Sequence, residues 1–271
     1  MAWSVPRALG QLRPQLGHFQ HALPLRCPCP AVVTIHDLSF ERDLDVMPRM
    51  DRLVFRAVVP RAARKAARVL VVSERTKADV IELYGVPEER ITVTPHGVDP
   101  AFGPGDAAPG DYLLFVGAVQ PRKNPLAAAD AAAAVGLPLV VAGPQRDPEL
   151  CRELERRGAD LRGYVTRTEL ADLYRRAACL VFPSRYEGFG LPVLEAMASG
   201  TPVVASPDPA LREVAGEAAV FIEPDRLADG IRQAIAERAW RRAAGLERAR
   251  GFSWDETARR TVAVYRKVLG A

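Results

Sequence analysis

The chain has 271 residues, 48% of them hydrophobic and 26% charged, which is enough apolar material for two α/β domains or one large one. Its 37 Lys and Arg against 33 Asp and Glu leave a net charge of +4. That excess suits an anionic small ligand, such as a nucleoside diphosphate or a lipid phosphate, and is too small and too dispersed to indicate nucleic acid.

Short β-branched runs alternate with longer helical stretches, the pattern of parallel sheets covered by helices. About thirty proline-rich residues precede the first clear strand, 31–35, which ends at His36-Asp37. A helix follows from about 50 to 67, interrupted at Pro60, then a strand at 69–72, a helix capped by Ser73 and running to about 84, and a strand at 91–94. After His96-Gly97-Val98-Asp99-Pro100 the sequence up to Pro109 is rich in Pro, Gly, Ala and Asp without hydrophobic period, a linker signal. A second series then supplies strands at 112–116, 138–142, 161–164, 179–182, 202–205 and 219–222. Helices at 124–135, 148–157, 168–177, 190–199, 226–238 and 240–249 separate them. The division is therefore a partial first domain at 1–98, a linker at 99–110, a complete doubly wound domain at 111–250, and a last helix within 251–271. Three strands are too few for a free-standing dinucleotide-type domain.

No apolar run approaches the ~18–20 residues that span a bilayer. Pro6, Pro14, Pro24, Pro28 and Pro30 break the N-terminal stretch in a way unlike a signal peptide. Among the four cysteines, Cys27-Pro28-Cys29 forms the one local pair, lacking the spacing of a zinc or thioredoxin-type motif. Cys151 and Cys179 stand apart, and all four read as ordinary thiols of a reducing cytoplasm.

Two stretches carry chemistry. In Phe182-Pro183-Ser184-Arg185-Tyr186-Glu187-Gly188-Phe189-Gly190-Leu191-Pro192-Val193-Leu194-Glu195 a strand enters a glycine-containing loop, and a helix starts with Pro192 in its first turn. The glycines allow close backbone approach, and the helix start adds N–H donors with partial positive charge. Glu187 and Glu195 display carboxylates that can accept hydrogen bonds from hydroxyls. In Phe115-Val116-Gly117-Ala118-Val119-Gln120-Pro121-Arg122-Lys123-Asn124, a turn delivers two adjacent cations before a helix capped by Asn124. An Arg fork and a Lys point charge together match phosphate oxygens. Read alone, each stretch is equally a solvated turn. Ala142-Gly143-Pro144 and Gly163-Tyr164-Val165 close neighbouring strands, where open α/β sheets bind ligands.

Taken whole, the first stretch, Glu187 to Glu195 between Pro183-Ser184 and Gly200-Thr201-Pro202, resembles the Glu-x7-Glu signature of retaining GT-B glycosyltransferases of family 4. The likeness runs from about residue 3 through Phe252-Ser253-Trp254 to the end. It implies a GT-B fold of two Rossmann-like domains facing a cleft, the N-terminal one incomplete, with the last helix crossing back to the first domain. Family members carry a further segment of first strands and a glycine-rich loop ahead of the position where this chain starts. The resemblance also implies transfer of a hexosyl group, mannosyl or glucosyl, with retention. The donor would be a nucleoside diphosphate sugar and the acceptor a carbohydrate or polyprenyl- or lipid-linked molecule, as in polysaccharide biosynthesis.

Carried over residue by residue, Glu187 contacts sugar hydroxyls and Glu195 holds the ribose. Arg122 and Lys123 neutralise the departing diphosphate. Gly117, Gly143, Tyr164, Val165, Ser184 and the segment Gly188, Phe189, Gly190 and Leu191 line the donor site. His36 faces the transferred sugar, with Asp37 orienting its ring. The implied chemistry needs no metal and no cofactor. Asp43-Leu44-Asp45 has the form of a manganese motif of a different glycosyltransferase class, which the GT-B resemblance argues against, and His96 reads as a turn residue. Arg52, Arg56, Arg64, Lys65 and Arg68 form a solvated stripe, or one that rests against anionic lipid at the inner face of a membrane. The competing expectation is a non-catalytic nucleotide-sugar-binding remnant, or a subunit completed by a partner.

Overall fold

A computed structural model describes residues 4–42, 47–105 and 110–270; Asp43-Leu44-Asp45 lies outside them. The described chain divides into two compact units, one running to Gly97 and resuming at Trp254, the other Val98–Ser253. Among the described residues each unit is built on one parallel sheet.

The first unit orders its strands β1 (Gly17–Gln20), β2 (Ala31–Ile35), β3 (Arg68–Val71) and β4 (Ile91–Val93) in sequence across the sheet. β1 is a strand that the sequence does not announce: Gly17-His18-Phe19-Gln20 has no apolar run, and it lies at a sheet edge, paired to β2 in the register Gly17 to Ala31. One sheet face carries Val33, Ile35, Val69 and Val71 against Val59, Ala62 and Ala63 of the helix Arg49–Lys65. Pro60 lies inside that helix and does not end it. Val32 and Leu70, on the other face, pack against Val264 of the helix Trp254–Leu269, the chain's last described element. Thr257 there donates to the Pro95 carbonyl at 2.5 Å. Ser73 caps the helix Glu74–Tyr84 by accepting from the Thr76 amide.

The second unit holds β5 (Leu113–Val116), β6 (Leu139–Ala142), β7 (Asp160–Gly163), β8 (Cys179–Phe182), β9 (Val203–Ala205) and β10 (Val220–Phe221), in the order β10-β9-β8-β5-β6-β7. Every residue of β5, β6 and β8 is buried, as expected where helices cover both faces. The order reverses between β5 and β8, the topological switch point at which such sheets open a crevice beyond their carboxyl ends. One face is closed by the helices Pro125–Val135 and Leu227–Ala236, which pack on each other, and the helix Arg238–Ala249 packs on Leu191–Ala198. Among the described residues no helix is long and apolar enough to cross a membrane.

Gly230 lies within the helix Leu227–Ala236, where a methyl group would come 2.9 Å from Ile222 Cγ2 and 3.0 Å from Val204 Cγ1. Helix propensity favours alanine there by about 1 kcal/mol, whereas overpacking a core costs about 1–3 kcal/mol. Gly230→Ala should therefore lower the melting temperature, and Gly230→Val should lower it further. A thermal scan in which Gly230→Ala melts above the wild type would mean that the sheet–helix spacing relaxes freely.

Candidate functional site

The ends of β5 and β8, adjacent at the switch point, bring residues about sixty apart in sequence into contact. Beyond β5, Gly117 donates its amide to the Ala142 carbonyl at 2.9 Å, and Gly143 donates to the Gly163 carbonyl at 2.8 Å. Gly143 has φ 142°, and a Cβ there would collide with the Gly117 carbonyl, so both backbones meet at a distance only glycine allows. The chain then makes a 3-10 turn, Pro121–Lys123, and reaches Asn124 in the left-handed region at φ 52°. Asn124 makes no side-chain cap; its backbone, not its amide group, starts the helix Pro125–Val135.

Beyond β8 the loop from Pro183 to Gly190 is tied down on several sides. Arg185 donates its amide to the Arg122 carbonyl at 2.9 Å, and the Arg122 guanidinium donates to the Tyr186 carbonyl. Ser184, 1% exposed, turns its hydroxyl into the loop, toward the Tyr186 carbonyl at 3.2 Å, where it anchors the turn. Ser206 donates to the Ser184 carbonyl. Asp208 accepts from the Glu187 amide at 3.3 Å and from the Ala210 and Leu211 amides at 2.8 and 3.4 Å, capping the helix Pro209–Ala215 while it holds the loop. Gly190, at φ 106°, begins the helix Leu191–Ala198, and a Cβ there would stand 2.5 Å from Leu211 Cδ2.

Here the predicted charges meet. Lys123 Nζ lies 2.5 Å and Arg122 Nη1 3.4 Å from Glu187 Oε1, with side chains 12%, 11% and 9% exposed. Lys123 also sits 4.9 Å from the centroid of the Phe182 ring. Both cations reach the same carboxylate oxygen, and the buried Arg122 Nε has no hydrogen-bond partner among the described residues. Asp208 is engaged with amides behind the loop, and the helix start at Gly190 adds N–H donors with partial positive charge to the turn.

Glu195 projects from the same helix, and Tyr174 donates to its Oε2 at 2.9 Å. Burial pushes the Glu195 carboxyl up to about 7, Tyr174 opposes the rise, and Asp99 adds to it. Tyr164 is 83% exposed at the end of β7, with Val165 half-buried beside it. Among the described residues, no cluster of three or more His, Cys, Asp or Glu is arranged to hold a metal ion.

His36 belongs to the first unit and has company there that the sequence did not reveal. Its ring stacks on His96 at 5.4 Å and stands 5.4 Å from His21, and its Nε2 is bonded to Gln20 Oε1. His96, read as a turn residue, is thus part of an imidazole row that continues to Trp254 at 5.3 Å. Burial holds His36 below its ordinary pKa although Asp37 opposes it; burial and then His36 hold His96 down to about 4. Asp37 accepts from the amide and hydroxyl of Ser39 at 2.9 and 2.7 Å. Tyr174, Asp208, Gln20 and His21 all escaped the sequence reading; of these only Asp208, in Pro207-Asp208-Pro209, carries a local signal, that of a helix cap.

A family model described as Glycosyltransferase Family 4 matches residues 1–102, and one described as Glycosyl transferases group 1 matches residues 110–237. The O-antigen chain mannosyltransferase B of Escherichia coli is 31% identical over 266 residues, covering 87% of this chain and 70% of that protein. Sucrose-phosphate synthase from Thermosynechococcus elongatus superposes with a TM-score of 0.81 at 21% identity, over 98% of this chain and 77% of that one. The Anabaena protein HepE, solved in complex with UDP-glucose, gives 0.75 at 19% identity, over 88% and 72%.

Asp208→Ala removes a helix cap, worth about 1 kcal/mol, and releases the Glu187 amide. The variant should melt earlier and exchange the Glu187 amide hydrogen faster, whereas Asp208→Asn, a competent cap, should keep most of the stability. Unchanged exchange at Glu187 in Asp208→Ala would detach Asp208 from the loop.

Proposed function

The chain belongs to glycosyltransferase family 4 and has the GT-B fold, and from that premise we propose that it transfers a hexosyl group from a nucleoside diphosphate sugar to a carbohydrate or lipid-linked acceptor with retention. The observation that carries this reading is the buried pair of adjacent cations at the switch point, both within reach of one Glu187 oxygen. A diphosphate, more highly charged than a carboxylate, takes Glu187's place at Lys123 and frees that carboxylate to accept hydroxyls of the sugar. Arg122 Nε supplies a donor in the same turn. Glu195 receives the ribose hydroxyls, Tyr164 and Val165 lie at the edge given to the base, and the backbone from Gly188 to Leu191 faces sugar and phosphates. His36 contacts the transferred sugar. The mannosyltransferase relative and the UDP-glucose complex support a hexose, mannosyl or glucosyl.

In the proposed reaction the anomeric carbon–oxygen bond breaks with its electron pair passing to the diphosphate, where Arg122 and Lys123 stabilise the new charge. The acceptor hydroxyl attacks from the same face and gives its proton to a phosphate oxygen of the leaving group, so no side-chain nucleophile is required. Protein cations and amides occupy the role a divalent metal plays elsewhere. The product fits polysaccharide assembly at the cytoplasmic face of a membrane.

A hydrogen bond to a charged group contributes about 1.5–3 kcal/mol, so Lys123→Ala should weaken UDP or GDP binding by about tenfold to a hundredfold in calorimetric titration. Excess chelator should leave the wild-type affinity unchanged. Equal affinity in Lys123→Ala would remove the cation pair from the site, and loss of binding on chelation would overturn the metal-free reading. Proton NMR of the product should show the donor's anomeric configuration. Nucleotide binding with no turnover of any hexose donor would instead identify a nucleotide-sugar-binding subunit.

A further inference from the structure

Glu195 is held by a residue that the scheme above does not use. Tyr174, on the helix Arg167–Arg176, is 0% exposed. Its ring meets Phe102 edge to face at 5.8 Å, and its backbone carbonyl accepts from the Thr201 hydroxyl at 2.6 Å. The phenol is thereby fixed in place, and its hydroxyl donates to Glu195 Oε2 at 2.9 Å. A phenylalanine would fill almost the same volume, so packing gives no reason for an oxygen in this position. Burying a hydroxyl is unfavourable unless it is bonded, and here its partner is the carboxylate.

We propose that Tyr174 is a positioning residue for nucleotide recognition: its buried phenol, donating to Oε2, sets the orientation and the charge with which Glu195 meets the ribose hydroxyls of the donor. The proposal rests on the assignment of Glu195 to the ribose. Hydroxyls donate to a carboxylate more strongly than to a neutral acid, so the orientation and the charge of Glu195 both serve binding. The charged groups facing Glu195 are Asp99, which opposes its ionisation, and Arg167, which favours it, and these two pair with each other at 2.8 Å. Their effects partly cancel, which leaves the direct hydrogen bond from Tyr174 to oppose the rise that burial causes. Binding favours the ionised form, so affinity is greatest above the Glu195 pKa and falls as pH drops through it. Removing the phenol hydroxyl moves that fall to higher pH.

The test is calorimetric titration of the full chain with UDP, GDP and inorganic pyrophosphate across neutral to alkaline pH, using Tyr174→Phe, Glu195→Gln and the double variant. Tyr174→Phe should bind the preferred nucleotide about tenfold more weakly near neutrality, approach the wild type at about pH 9, and bind pyrophosphate, which has no ribose, as the wild type does. Glu195→Gln should be weak at every pH, and adding Tyr174→Phe to it should cost nothing further. A loss in Tyr174→Phe that is equal at all pH values, or that extends to pyrophosphate, would overturn the proposal and reduce Tyr174 to a structural residue. Wild-type affinity in Glu195→Gln at alkaline pH would instead sink the ribose assignment itself. The wild-type protein offers a check that needs no variant: a 2′,3′-dideoxy nucleotide should bind without the pH dependence, and retention of that dependence would also overturn the proposal.

Discussion

The contact between Glu187 and the pair Arg122–Lys123 holds the second unit's crevice in shape. Two adjacent cations with side chains only 11% and 12% exposed would repel each other and lack hydration. The carboxylate that relieves them comes from the far side of the switch point, so the loops after β5 and β8 are joined by charge as well as by the Arg185–Arg122 backbone bond. The turn is thus already organised around an anion, the Glu187 carboxylate. In the proposed reading a diphosphate exchanges one anion for another and does not need to assemble the pocket, which reduces the ordering cost of binding.

Sheet topology makes this contact possible. With β5 and β8 side by side and β6 and β7 passing to one side of them, strands about sixty-five residues apart end at one edge. The glycine contact between Gly117 and Gly143 draws the neighbouring crossover close, and Asp208 fixes the opposite wall from the start of the next helix. Each device uses backbone or buried side chains, and together they hold Arg122 and Glu187 in contact.

The sequence made the second unit legible because β5, β6 and β8 are buried on both faces and read as unbroken apolar runs. β1 was invisible for the opposite reason: an edge strand of Gly, His, Phe and Gln is stabilised by pairing with β2, not by its own composition. Pro60 looked like a break, yet it sits in a helix whose other turns are anchored by Val59, Ala62 and Ala63. The charged motif could be found because Arg122, Lys123, Glu187 and Glu195 lie in two local strings. Tyr174 could not, since it sits twenty-one residues from Glu195 in an ordinary amphipathic helix, and only the packing of that helix brings hydroxyl and carboxylate together. The imidazole row likewise gathers His21, His36 and His96 from the ends of three different strands.

The helix Trp254–Leu269 has a consequence for the order in which this molecule can be made. Its Val264 completes the packing over Val32 and Leu70, residues translated some two hundred positions earlier. The second unit, by contrast, is continuous in sequence. On the ribosome the second unit can close while the nascent chain is still growing, but the first unit's sheet keeps one apolar face uncovered until the closing helix leaves the exit tunnel. The first unit is therefore the part that most needs shielding during synthesis, and a stop codon ahead of Trp254 would release a chain with a folded second unit and a first unit bare on one side.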